Sequence, residues 1–181
     1  MTHADYLAFF QWSATNHKSI KHLGGSNADK SAFATIIENA PNPFQPKTDL
    51  LDFMSQNKSK LKFPFLLMIT YDATYEIVRD SYGKKIIDGA FVIMDLPSDK
   101  ANYARINEVL DSTEIIGEQI LSALNGYAQE HNCTLMSGDG TGCEKIGPIA
   151  DGYYGTKFYI KIEAEANSII TDNRDDNTIW D

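Results

Sequence analysis

Long hydrophobic runs are missing from this sequence of 181 residues. The longest, residues 63–69, falls far short of the roughly 20 apolar residues that a membrane-spanning helix needs. No basic start followed by an apolar stretch precedes it, so we expect no secretory signal and a cytoplasmic location. Hydrophobic residues nevertheless make up 43% of the chain. This share excludes a disordered chain, and the length suits one domain with a real core.

Cysteine is also scarce, because the sequence has only Cys133 and Cys143. Their spacing matches neither a CxxC motif nor a zinc knuckle. In a protein without an export signal, two reduced thiols are expected. A disulfide across a hairpin is the alternative.

Basic residues are outnumbered, with 16 Lys and Arg against 25 Asp and Glu, and the formal net charge is −9. Nucleic acid is therefore not an expected partner, since its phosphates must be met by Lys and Arg. The lysines at 58, 60 and 62 and at 84 and 85 cluster locally. We interpret both clusters as decoration of solvated loops or strand edges.

Motifs for catalysis and cofactor binding are absent too. The loop Gly138–Gly142 has neither the Gly-Lys-Ser/Thr of a P-loop nor a GxGxxG fingerprint, so it predicts a hairpin connection. His17 and His22 lie five apart, whereas two ligands on one helix face need a spacing of three or four. The segment 172–177 fails the calcium-loop pattern because Arg174 and Asn177 occupy key positions.

A serine nucleophile elbow and a Cys/His nucleophile signature are likewise lacking. We therefore expect no catalytic residue, no cofactor and no metal. An active site whose groups meet only in the folded chain stays open as an alternative.

Three segments have helical patterns. Thr2 and Asp5 form a capping box that predicts a helix over 3–19. A second, shorter helix is predicted over 49–57, after a proline-rich connection at 40–46. Its buried face is predicted to contain Leu50, Leu51, Phe53 and Met54. The longest helix is predicted over 101–130, because its apolar residues repeat at i, i+3 and i+4. Gly117 in its middle predicts close packing against a sheet.

Strand patterns occupy most of the remainder. A short strand is predicted over 31–37. The apolar run 64–71 predicts a strand buried on both faces, and with residues 85–96 it forms a long antiparallel hairpin. After the third helix, strand pattern covers 133–137, continues over 143–149 and returns over 153–164. In the last segment apolar and polar residues alternate strictly.

These elements predict an α+β fold in the order α-β-α-β-β-α-β-β, with a largely antiparallel sheet covered by helices. We expect one domain over 1–166 and a C-terminal tail or arm over 167–181. The hairpin and the strand 153–164 are expected to share one sheet, with the helix 101–130 across its face.

Some apolar residues are candidates for contacts between subunits. Candidates in the first helix could instead pack in the core, and candidates in the tail could instead dock on their own domain. The candidate interface residues are Phe9, Trp12, Ile169, Ile170, Ile179 and Trp180.

Several segments together resemble uncharacterised proteins found in prophage-like gene clusters of Bacteroidetes. The segments are HKSIKH at 17–22, FPFLL at 63–67, DGAFVIMD at 88–95, IIGEQI at 115–120, GTKFYI at 155–160 and TIW at 178–180. The element order is also similar to that of phage tail-terminator and neck proteins, which assemble into rings. This likeness implies a structural assembly protein and a homo-oligomer, cytoplasmic or assembled into a phage-like particle. A small intracellular ligand-binding or enzymatic domain is the alternative function.

Overall fold

The computed structural model of the chain describes residues 1–22, 30–36, 46–78, 82–138 and 140–165. The tail 167–181, with four of the six candidate interface residues, lies outside this part of the chain. Within it, the elements follow one another as α1 (His3–Asn16), β1 (Ser31–Ile36), α2 (Pro46–Asn57), β2 (Leu61–Val78), β3 (Tyr82–Asp95), α3 (Tyr103–Glu130), β4 (Cys133–Leu135), β5 (Gly142–Ile149) and β6 (Tyr153–Glu165).

The strands form one sheet in the order β1-β2-β3-β6-β4, and β5 pairs with β6 as well. Only β1 runs parallel to its neighbour, β2, and the other pairings are antiparallel. The predicted α+β class with a largely antiparallel sheet is therefore confirmed. The hairpin β2–β3 and the strand β6 share the sheet, and α3 packs across β6 and β3 as predicted.

The sheet is covered on both faces. On one face, α1 and α3 pack on side chains such as Leu66 and Met68. On the other face, Leu50 and Met54 of α2 pack with the alternating set that includes Leu67. The apolar run in β2 is continuous because both sets of side chains are buried, and this confirms the prediction.

Some predicted boundaries need correction. Helix α1 ends at Asn16, because His17 is extended and its N–H donates back to the Ser13 carbonyl. Helix α2 begins at Pro46, inside the segment predicted to be a proline-rich connection and before the predicted start at 49, since proline is tolerated in the first turn of a helix. Leu51 was predicted to be buried but is 43% exposed.

The segment after α3 contains three strands, whereas the predicted order has two. Strand β4 pairs with one end of β6, through Cys133 opposite Ala164. Strand β5 pairs with the other end, through Gly142 opposite Tyr159. The two short strands therefore divide a single edge of β6 between them.

Helix α3 places its predicted apolar face on the sheet. Ile106, Val109, Ile116, Ile120 and Leu124 are all buried. Thr113 lies in the same row, and its hydroxyl is 3.0 Å from that of Thr156 on β6, so this buried polar pair is satisfied. Gly117 packs directly on the ring of Phe158, which confirms the close approach predicted there.

Tyr6 is an exception among the buried polar groups. Its side chain is fully buried, and its hydroxyl has no hydrogen-bond partner among the described residues. Burial raises the pKa of Tyr6, so the phenol stays neutral at physiological pH. The hydroxyl lies against Gly89, where a Cβ would be 2.3 Å from it.

Replacing Tyr6 with phenylalanine is therefore expected to raise the free energy of unfolding by about 1 kcal/mol, because it removes an unsatisfied buried hydroxyl and keeps the ring. Urea denaturation measures the change. Tyr71→Phe is the control, since the Tyr71 hydroxyl lies 3.4 Å from the Lys85 amine and should show no gain. A Tyr6→Phe protein less stable than wild type would contradict this account.

Candidate functional site

A groove lies between the C-terminal half of α1 and the middle of α3, with a volume of about 340 Å³. We call it the α1–α3 groove. Helix α1 supplies Trp12, Ser13 and Asn16, and α3 supplies Gln119, Ile120 and Ala123. His17 and Lys18 complete the lining, and none of these residues is acidic.

The two candidate interface residues of α1 have different environments. Phe9 is only 2% exposed and packs on Tyr127, with ring centroids 5.2 Å apart. Trp12 is 57% exposed, and the centroid of its ring lies 6.3 Å from that of Phe9. The structure thus corrects the candidate list: Phe9 belongs to the core, and Trp12 is the large aromatic residue that α1 presents to solvent.

Ser13 lines the groove beside Trp12. It is 4% exposed, and its Oγ has no hydrogen-bond partner among the described residues. A buried hydroxyl in a helix commonly bonds to a carbonyl in the preceding turn, and the Ser13 hydroxyl lacks that contact. The groove therefore holds a polar atom with unused capacity both to donate and to accept.

His17 fixes one end of the groove. The Ser19 backbone N–H donates to His17 Nδ1 at 3.3 Å, so the imidazole proton lies on Nε2. Nε2 then donates to Gln119 Oε1 at 2.8 Å and ties the end of α1 to α3. Both ring nitrogens of His17 therefore have partners within the chain.

Lysines cluster on and around the segment 17–22 that follows α1. Lys18 lines the α1–α3 groove, and the Lys62 amine donates to the Lys21 carbonyl at 3.1 Å. His22 accepts a hydrogen bond from the Ala32 N–H at 3.3 Å. Burial, with the Lys62 charge, lowers the pKa of His22, so at neutral pH the charge comes from the lysines.

A second concavity lies on the opposite face of the sheet, between α2 and the strands β5 and β6. We call it the α2–β6 cavity, and its volume is about 280 Å³. Lys157, only 7% exposed, places its Nζ 4.9 Å from the centroid of the Tyr159 ring. The Tyr159 hydroxyl donates to Glu144 Oε1 at 2.7 Å. Apolar residues such as Leu50 and Ile146 form its remaining wall.

Sequence reasoning missed the α2–β6 cavity. Its walls come from α2, β2 and the neighbouring strands β5 and β6, and no motif marks them. A basic residue next to an apolar strand position, as at Lys157, was the one available signal.

The cysteines do not form a nucleophilic site. Both are free thiols, as expected, with Cys133 buried and Cys143 exposed. Partial burial, together with the carboxylate of Glu114, raises the pKa of the Cys143 thiol. A reactive cysteine needs the opposite environment, one that favours the thiolate.

Part of one sheet edge has no partner strand among the described residues. The pairing of β1 with β2 stops at Ile36 opposite Ile69. Beyond that point β2 continues to Val78 and pairs only with β3 among the described residues. Residues 72–76 are exposed, and Tyr75 is 50% exposed. An unpaired edge of this kind can accept another strand.

A scan against protein-family models found no matching family, and a search of the curated proteins found no matching relative. In the part of the chain that the structure describes, no helix is long and apolar enough to cross a membrane. The same residues contain no group of three or more His, Cys, Asp or Glu side chains placed to hold a metal ion.

Proposed function

We propose that this chain is a self-associating structural subunit of a phage-like tail or neck, which works through contacts between protein subunits. The observation that carries the proposal is the exposure of Trp12 on the wall of the α1–α3 groove. Tryptophan is among the residues most enriched at the energetic centres of protein interfaces. In the isolated subunit its apolar surface stays in water, and a partner that covers it gains the hydrophobic free energy.

The part of the β2 edge that has no partner strand among the described residues also supports this proposal. A ring of identical subunits uses heterologous contacts, in which one surface of each copy meets a different surface of the next. The α1–α3 groove and the edge at residues 72–76 belong to different parts of the subunit. The likeness of the sequence segments to prophage-cluster proteins supports the particular kind of assembly.

Replacing Trp12 with alanine is expected to weaken self-association strongly while leaving the fold intact, because the side chain is more than half exposed in the monomer. Loss of an interface anchor costs about 2 kcal/mol or more, a roughly 30-fold weaker Kd. Sedimentation velocity across a concentration series measures the mass, and circular dichroism checks the fold.

Tyr103→Ala is the matched control, since Tyr103 is 82% exposed on a helix but does not line the groove. It should associate like the wild type. A wild-type chain that remains monomeric at the highest attainable concentration would contradict the proposal.

A second candidate function, binding of a small ligand, is favoured by the α2–β6 cavity. Ligand sites typically combine apolar walls with a few converging polar groups, and Lys157, Tyr159 and Glu144 converge there. The volume of about 280 Å³ lies at the lower end of the usual range. A small molecule that raises the unfolding temperature of a monomeric wild type, but not of Tyr159→Phe, would favour this candidate.

A further inference from the structure

We infer that the α1–α3 groove of one copy receives the segment Ile179–Trp180–Asp181 from the tail of a neighbouring copy. The choice of a neighbouring copy rests on the proposed function. The inference names the occupant of the groove and the contact that would join successive subunits.

The chemistry of the groove fits this segment in three ways. The volume, about 340 Å³, is roughly ten times that of a water molecule in the liquid and has room for a large side chain. An indole N–H needs an acceptor when it is buried, and the Ser13 hydroxyl has no partner among the described residues. Trp12 supplies an aromatic wall for the incoming ring.

Charge provides the second argument. The tail 167–181 contains four aspartates and one arginine. The groove has no acidic lining residue, and the amine of Lys18 is the charged group in its lining. In the segment itself, Asp181 directly follows Trp180, so a carboxylate would reach Lys18 when the indole enters the groove.

The length of the tail permits the contact. Strand β6 ends at Glu165, which is paired with Lys84. The preceding residue, Ala164, pairs with Cys133, whose Sγ lies 3.6 Å from the Met1 amino group. Glu165, the last described residue before the tail, therefore lies near the beginning of α1, whereas the groove lies at the other end of that helix. Fifteen extended residues reach up to about 50 Å, enough to leave the subunit.

Cross-linking tests the contact directly. Lys18→Cys in one copy and Asp181→Cys in another, co-expressed as full chains in a Cys143→Ser background, should form a covalent dimer on oxidation. Each variant oxidised alone gives the baseline. Tyr103→Cys with Asp181→Cys is the control and should give no dimer above baseline.

A double-mutant cycle on the full chain adds an independent measurement. Trp12→Ala and Trp180→Ala should each weaken the self-association Kd about 30-fold or more. The double variant should be little weaker than either single variant, because the two changes remove the same contact. Fully additive effects would place the two tryptophans in separate contacts and overturn the inference.

Two further outcomes also overturn it, and they differ from failure of the proposed function. If the wild type self-associates but the Lys18→Cys and Asp181→Cys variants form no covalent dimer, the subunits associate through another interface. That result would contradict the inferred contact and leave the proposed function supported. A bridge that forms only within one chain carrying both cysteines would place the tail in its own groove. A monomeric wild type would remove the proposed function itself.

Discussion

Replacing Ile120 with alanine is expected to lower the free energy of unfolding by roughly 2–5 kcal/mol, the usual cost of deleting a large aliphatic side chain from a core. Ile120 is 2% exposed and belongs to the cluster that joins α3 to the sheet through Phe91 and Phe158. Ile120 also lines the α1–α3 groove, so truncation would leave a cavity beneath the groove, which the surrounding structure fills only in part.

The same helix offers a matched control. Ile115 lies five residues earlier and is 54% exposed, so Ile115→Ala should change stability by no more than about 0.5 kcal/mol. Urea denaturation of both variants, with equal slopes, gives the comparison. A cost below about 0.5 kcal/mol at Ile120 would show that α3 packs on the sheet through another face.

Replacing Gly117 with alanine is expected to destabilise the protein by about 1–3 kcal/mol, even though alanine is the better helix former. An added Cβ would lie 1.9 Å from Cε2 of Phe158, far inside contact distance. Phe158 has little room to yield, because it is 2% exposed and stacks on Phe91 with ring centroids 4.9 Å apart. Overpacking should therefore exceed the gain in helix propensity.

Gly126 is the control within the same helix. A Cβ there meets nothing within 4 Å, so Gly126→Ala should raise stability by about 0.5–1 kcal/mol through propensity alone. Thermal unfolding of the two variants should give shifts of opposite sign. Shifts of the same sign would mean that the approach of α3 to β6 does not depend on a glycine at position 117.

Regular patterns made most of the fold predictable. The capping box at Thr2 and Asp5 forms as expected, with the Asp5 N–H donating to the Thr2 hydroxyl at 3.2 Å. The repeat of apolar residues in α3 identified the buried face correctly, and the alternation did the same for β6 from Phe158 onward, whereas the consecutive residues 155–158 are all buried. Such patterns are informative because one face of each element packs and the other meets water.

The candidate site was only partly predictable. Phe9 and Trp12 lie three apart on one helix, and both looked like extensions of its apolar face. The structure buries one and exposes the other, because α3 crosses α1 at Phe9 and Tyr127 and leaves Trp12 at the groove. The local sequence pattern of α1 does not indicate where α3 packs against it.

By itself, the sequence determined the α+β class, the long hairpin and the buried face of α3, since each depends on the local order of side chains. Tertiary structure alone decided that α2 covers the opposite face of the sheet and that β4 and β5 share one edge of β6. It also decided that the Ser13 hydroxyl, beside an exposed Trp12, has no hydrogen-bond partner among the described residues. These features depend on which distant segments meet. Hydrophobic burial drives such meetings but is non-directional, so only the packed chain specifies their geometry.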